Sequence, residues 1–499
     1  MNNLEKYIDT RSRLKALTFA GFIINWDGTI SAPTNSTEEH STQIGVLTEM
    51  EYELSTNAEY LSAVEQLYEA RGELEPALSH EIEVEKRSID KLKKIPLKEY
   101  VEYQKLLNDI YPVYVECKGE SNFNKFVPYL TKVIDFKKNY MKYLETPDKQ
   151  GYDVLLDDYE NDYTQVEYDK FFNLLKAKLV PFVKKIAQTK LEGDFSFGNL
   201  SYPTDKQKEF CEYIRDVMCF DKTRGIMAES EHPFTSGFGI DDVRITVHYY
   251  ENNFISAIFS TIHETGHALY QQQIDPKLRD TFCVDGASMG MHESQSRLYE
   301  NYIGRSYAFW AKHYSKLQDT FPEQLGNVTL DTFYKYINRP EMSFIRTEAD
   351  ELTYPLHIML RYDIEKEICN GSLALNKLPE RWNQLFFEYF GLKVPSDKDG
   401  VMQDVHWALG DLGYFPTYAL GTAYSAQFIN AMSKEFDVYE SLSAGNTKAI
   451  NEWLREHIHR FGSSKYPKEI LRNATGEDFN PQYYVDYLIN KYSLIYGVI

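Results

Sequence analysis

Residues 254–270 read FISAIFSTIHETGHALY. His263 and His267 stand four apart, a spacing that on a helix stacks two imidazoles on one face, able to grip one metal ion. Glu264, one residue after His263, projects beside such an ion. There a carboxylate can take a proton from a metal-bound water whose pKa the ion has lowered towards 7. The pattern is specific: with 12 His in 499 residues, an HExxH is expected by chance in roughly 2% of such chains. Its flanks (Phe254, Ile255, Ile258, Phe259, Ile262, Leu269) are apolar, so the helix is expected to be buried. Gly266 costs about 1 kcal/mol against Ala inside a helix, which implies that something packs closely there. A hydrolytic zinc site needs three protein ligands and one open position. Glu293, 26 residues past His267 in HESQSRLYEN, is the expected third ligand, with His292 and Glu300 as rivals.

The elements that must position these groups are mostly helical. Leu61, Val64 and Tyr68 share one helix face, as do Ile82, Ile89 and Leu92 further on, before Pro96 interrupts. Thr164-Gln165-Val166-Glu167 ahead of Phe171, Phe172, Leu174 and Leu175 is a capping-box start. Residues 192–204 and the Gly-containing 231–241 are breaks. One strand is expected over 243–249, where Val243, Ile245, Val247 and Tyr249 alternate with Arg244, Thr246 and His248. Read as a sheet edge, it could pair with an extended peptide, and His232 in the preceding loop could line the same groove. The fold class is mainly α with a small β-sheet beside the HExxH helix. No linker, repeat or low-complexity tract divides the chain. It is therefore read as one catalytic unit, 1–499, with a helical region over about 1–230 and a metal-site region over about 231–430.

Composition narrows the function. The 43% hydrophobic and 15% aromatic content supports a large core and excludes a disordered chain. The net charge of −21 argues against nucleic acid and anionic membrane as partners. Five cysteines without a CxxC point to reduced thiols and a cytoplasmic protein. The longest early, mostly apolar run is nine residues, Ala16 to Ile24, and Trp26-Asp27 follows it instead of a small-residue cleavage site.

Five short motifs, in order, resemble the carboxypeptidase Taq family of metallocarboxypeptidases. They are Asp242-Val243-Arg244-Ile245-Thr246 (DxRxT), His263-Glu264-Thr265-Gly266-His267 (HExxH), His292-Glu293-Ser294-Gln295, Ile345-Arg346-Thr347-Glu348-Ala349-Asp350 (IRxxAD) and Gly400-Val401-Met402-Gln403-Asp404-Val405-His406-Trp407 (GxxQDxHW). His232-Pro233-Phe234 and Asn25-Trp26-Asp27 also resemble family segments, although Gly28-Thr29-Ile30-Ser31-Ala32-Pro33 departs from the Pro-Pro-Gly-like residues usual there. The resemblance implies a helical molecule with a deep groove, similar in shape to neurolysin and angiotensin-converting enzyme. It also implies removal of single residues from peptide C-termini, one divalent metal per chain (zinc, or else cobalt), and a homodimer.

Within that frame His263, His267 and Glu293 would hold the metal and Glu264 would be the general base, then carry the proton to the leaving amine. Donors for the developing oxyanion are expected from His406 and Tyr418, with Tyr414 and Tyr424 as rivals to Tyr418. A terminal carboxylate is best held by a planar guanidinium. Arg346 is the leading anchor and Arg244 the second, each with a structural alternative: Arg346 paired with Asp350, Arg244 with Asp242. Glu348 and Asp350 could instead orient a ligand histidine. Two other functions compete: an endo-acting oligopeptidase of the neurolysin type, which lacks a carboxylate anchor, and a helical binding protein with a structural metal. The second leaves Glu264 without a purpose.

Overall fold

The computed structural model describes residues 2–498. The chain is a stack of helices around one three-stranded sheet. One large core draws its buried residues from Tyr103 through to Tyr492. The opening helices add a smaller core of their own, in which Tyr7, Tyr60, Val64, Ile82 and Ile89 pack. Two expected helix faces are seen there, with one exception. Leu92 points outward at 53% exposed, because its helix, Pro76–Lys94, is ending and only Ile82 and Ile89 reach the core. The capping box forms as the sequence expects: Glu167 Oε2 accepts from the Thr164 backbone N–H at the start of Gln165–Ala187.

The sheet departs from expectation in three ways. β1 (Gly225–Glu229) was not anticipated. β2 (Thr235–Gly237) lies inside the segment read as a break. β3 (Val243–Val247) is shorter than expected and is the central strand, parallel to β1 and antiparallel to β2. It is therefore not an edge. Its near-continuous burial, with Thr246 inward as well as Val243, Ile245 and Val247, is that of a strand covered on both faces. The free edge beside the site belongs to β2. The DxRxT motif builds this arrangement. Thr246 Oγ1 accepts from the Phe234 N–H (2.8 Å) and from Ser230 Oγ (2.7 Å), which folds the HPF loop back onto β3.

The first helix, Asn3–Ile30, closes over β2 from outside. Trp26 meets Phe234 edge-on at 5.8 Å and Phe19 meets Phe238 at 4.9 Å. Lys15 Nζ donates to the carbonyls of Arg279 and Thr281, so the same helix also holds the loop ahead of HESQ.

Helix contacts by glycine set the spacing at the centre. A Cβ on Gly266 would come within 2.8 Å of Gln295 O and Ser296 Cα, so the HExxH helix (Phe254–Gln272) and the Glu293 helix (Met289–Arg297) touch backbone to backbone. The close neighbour that Gly266 implied is thus the helix carrying the third expected ligand. Gly421 does the same between the Glu293 helix and Pro416–Met432: its Cβ would meet Gly290 O at 2.7 Å. Gly266→Ala is expected to lower stability by about 1–3 kcal/mol, overpacking outweighing the helix-propensity gain. Chemical denaturation checks this, and an unchanged midpoint would refute the close-packing argument.

Candidate active site

The three helices meet at one side of a cavity of about 570 Å3. Glu264, His267, His292 and Glu293 line its floor, β2 (Thr235 to Gly237) one wall, and Tyr414, Thr417 and Tyr418 the facing wall.

His263, His267 and Glu293 each offer one ligand atom, all within 4.8 Å of one another. Glu293 Oε2 faces both imidazoles, 3.8 Å from His263 Nε2 and 3.5 Å from His267 Nε2. The other ring nitrogens are engaged. His263 Nδ1 donates to Glu300 Oε2 (2.9 Å), and His267 Nδ1 lies 2.7 Å from His292 Nδ1. In the tautomer that leaves His267 Nε2 free, its Nδ1–H donates to His292. Burial keeps His292 neutral, lowering its pKa to about 4, so that it can accept. Both Nε2 lone pairs then converge beside a carboxylate. Two imidazoles and one carboxylate, each held from behind by a hydrogen bond, fit a divalent metal of the zinc class.

The two residues weighed as rival ligands, His292 and Glu300, are thus the partners that orient the histidines. Glu300 reaches His263 because the Glu293 helix passes into a π-helical stretch, Leu298–Gly304, which shifts the side-chain register. The Glu348 and Asp350 alternative is corrected. Glu348 is exposed, and Asp350 accepts from the N–H groups of Glu341, Leu352 and Thr353 at a helix start. Arg297, which the sequence reading passed over, ties the cluster together. Its Nε donates to Glu293 Oε1 (2.7 Å) and Nη1 to Glu300 Oε2 (3.0 Å). Burial would raise the Glu293 carboxyl, but Arg297 and the two imidazoles outweigh it and hold it well below the usual range. An i, i+4 Glu–Arg pair was readable as such; its place behind a candidate ligand was not.

Glu264 is buried beside this cluster, and Thr235 Oγ1 donates to its Oε2 at 2.6 Å. Burial pushes its carboxyl above the usual carboxylate range, against the pull of His263 and of the Thr235 hydroxyl. Thr235 was missed because its segment read as a loop.

The tyrosines separate cleanly. Tyr414 and Tyr418 both line the cavity, with rings 4.9 Å apart. Tyr424 is fully buried and donates to Glu160 Oε1 (3.1 Å), which removes it as a rival. His406 lies outside the cavity lining and stacks on Tyr414 at 5.7 Å. Burial lowers its pKa to about 4, so it is a neutral ring at the back of that wall.

Neither arginine lines the cavity. Arg244 forms a bidentate pair with Asp242 (2.7 Å for both bonds), and its guanidinium lies over Phe22 and Trp26. It fastens the first helix to the sheet and is corrected as an anchor. Arg346 pairs with Asp404, not Asp350: Nε is 3.0 Å and Nη2 2.9 Å from Asp404 Oδ1, and Nη1 donates to Tyr354 Oη (3.0 Å). Its guanidinium lies 5.2 Å from the centre of the Tyr418 ring. Gln403 Oε1 accepts from the Arg346 N–H, so the IRxxAD and GxxQDxHW motifs are two halves of one assembly. His232 is exposed and outside the lining, and its carbonyl accepts from Ser230 Oγ. Its neighbours Pro233 and Phe234 line the cavity in its place.

The model of the carboxypeptidase Taq (M32) metallopeptidases matches residues 6–492. The chain belongs to this family. It is an M32 metallocarboxypeptidase, a peptidase that depends on a divalent metal and acts on peptides. It is 40% identical over 493 residues to "Carboxypeptidase 1" of Bacillus subtilis, covering 99% of this chain and 98% of that one. It is 36% identical to "Thermostable carboxypeptidase 1" of Pyrococcus furiosus, with 96% of each covered. Among solved structures, the M32 carboxypeptidase of Deinococcus radiodurans superposes with a TM-score of 0.95 at 32% identity, covering 99% of this chain and 100% of that one. The M32 enzyme is therefore a mainly helical peptidase with one small sheet, like the M32 carboxypeptidases it superposes on. Among the described residues, no helix is long and apolar enough to cross a membrane.

Proposed function

We propose that this M32 metallocarboxypeptidase removes single residues from peptide C-termini, with His263, His267 and Glu293 as the ligands of one zinc ion and Glu264 as general base. The observation that carries the reading is the convergence of both Nε2 atoms on Glu293 Oε2, with Glu264 lining the same cavity as His267 and Glu293. An ion held by these three residues would supply Lewis acidity, lowering the pKa of a ligated water and polarising the scissile carbonyl. Glu264, aimed by Thr235, takes the proton of the attacking water and returns it to the leaving amine nitrogen. Tyr418, with Tyr414 beside it, donates its O–H to the developing oxyanion, and His406 backs Tyr414.

Arg346, buried behind the Tyr418 ring that lines the cavity, is our proposed anchor for the terminal carboxylate, engaged when the substrate displaces that ring. Of its five N–H donors, Asp404 and Tyr354 take three, which fixes the fork and leaves two for substrate. All five cysteines are free, in keeping with a reducing cytoplasm. We treat residues 1–499 as a single catalytic unit and the working form as a homodimer.

Amidating the substrate's C-terminus tests the anchor. Cleavage is expected to be abolished, while an endo-acting oligopeptidase would continue. Arg346→Ala is expected to erase most of this discrimination. Unchanged discrimination would remove Arg346 as the anchor.

A further inference from the structure

The cavity is lined by three carboxylates, Glu264, Asp285 and Glu293, and by no lysine or arginine among the described residues. Two of the three are accounted for: Glu293 by Arg297 and the imidazoles, Glu264 by Thr235. Asp285 differs. It is exposed, and its one recorded hydrogen bond is from the Gly286 N–H, 2.7 Å from Oδ1. No lysine, arginine or histidine forms an ion pair with it among the described residues; the His292 ring, whose charged form it would favour, is kept neutral by burial. Arg279 and Arg460, nearby in sequence or space, are spent on Asp241, Glu456 and Asp275.

The turn carrying Asp285 is held from three sides. Gln271 Nε2 donates to Val284 O (2.8 Å), Tyr270 Oη accepts from the Ala287 N–H (3.1 Å), and Ser463 N–H donates to Cys283 O (3.1 Å). The carboxylate is thus fixed at the cavity wall while its charge stays open. Met289, four residues on, also lines the cavity and is 50% exposed. A flexible thioether and an unpaired carboxylate lining one cavity match a side chain with an apolar stem and a cationic head.

We propose that Asp285 gives this peptidase a preference for peptides with a lysine or arginine side chain flanking the scissile bond, the stem on Met289 and the head on Asp285. The inference rests on the cavity being the peptide site. The same carboxylate would repel a terminal carboxylate, so it also helps orient the chain by keeping that end away from Asp285.

The test uses N-acetylated tripeptides with a free C-terminus, bearing lysine or its uncharged isostere norleucine at the last or the penultimate position. Hydrolysis of the norleucine peptides reports on the carboxypeptidase reading, and the lysine-to-norleucine ratio of kcat/KM reports on Asp285. The ratio is expected to exceed one at one of the two positions and to fall about five- to tenfold in Asp285→Asn. It should be largely kept in Asp285→Glu and should weaken with added salt. An equal fall for both peptides would mean a merely structural residue and overturn the proposal. So would a lysine-to-norleucine ratio of one at both positions in the wild type.

Discussion

Glu264→Gln is expected to keep its metal and lose turnover by about 10²- to 10⁴-fold. The substitution retains size and the ability to meet the Thr235 hydroxyl, and removes only the capacity to hold a proton in transit. Its two roles fall in succession on the same oxygen pair, so kcat and kcat/KM should fall together while KM moves little. Metal content by elemental analysis separates this from a ligand loss. A variant with full metal and near-native turnover would transfer the base to another group; among the described residues the other carboxylates lining the cavity are Asp285 and Glu293, the latter the proposed ligand.

Glu293→Ala should produce the complementary phenotype. Removing the carboxylate takes away one of the three proposed ligand groups and also leaves the half-buried Arg297 with Glu300 alone in place of its 2.7 Å bond to Glu293. Metal content should fall well below one ion per chain, and activity with it. Added zinc or cobalt at high concentration should restore part of both. Full occupancy in this variant would shift the third ligand to Glu300, which now holds His263 from its Nδ1 side.

What the sequence made legible followed from local periodicity. HExxH fixes two imidazoles on one helix face whatever surrounds them, and Gly266 announced the close crossing that brings Glu293 in. Other features depended on contacts between distant segments. The strand at 243–247 has the alternation of an edge strand, yet β1 pairs with it from upstream and makes it central. Arg346 stands four residues before Asp350, a helix-like spacing, but the backbone there is a short 3₁₀ turn and Asp404, from another motif, reaches the guanidinium first. Thr235 sits in a three-residue strand too short to carry a pattern. Tyr424 is separated from Tyr414 and Tyr418 by which way each faces, which no spacing encodes once 39 tyrosines are present.

The buried carboxylate under Tyr424 has a bearing on how the molecule responds to acidity. Glu160 accepts from the Gly290 N–H (3.0 Å) at the start of the Glu293 helix as well as from Tyr424. Burial raises its pKa to about 7, despite hydrogen bonds from Ser288, Gly290 and Tyr424 and the charge of Lys468. A carboxyl that binds its proton more tightly folded than unfolded favours the native state most under acid conditions. That advantage is lost as pH rises from about 4.5 to about 7, by roughly 3 kcal/mol. Unfolding free energies compared between wild type and Glu160→Gln across this interval should therefore diverge, the wild type losing ground as the medium turns neutral. Parallel curves would show that the proton on Glu160 is not linked to folding.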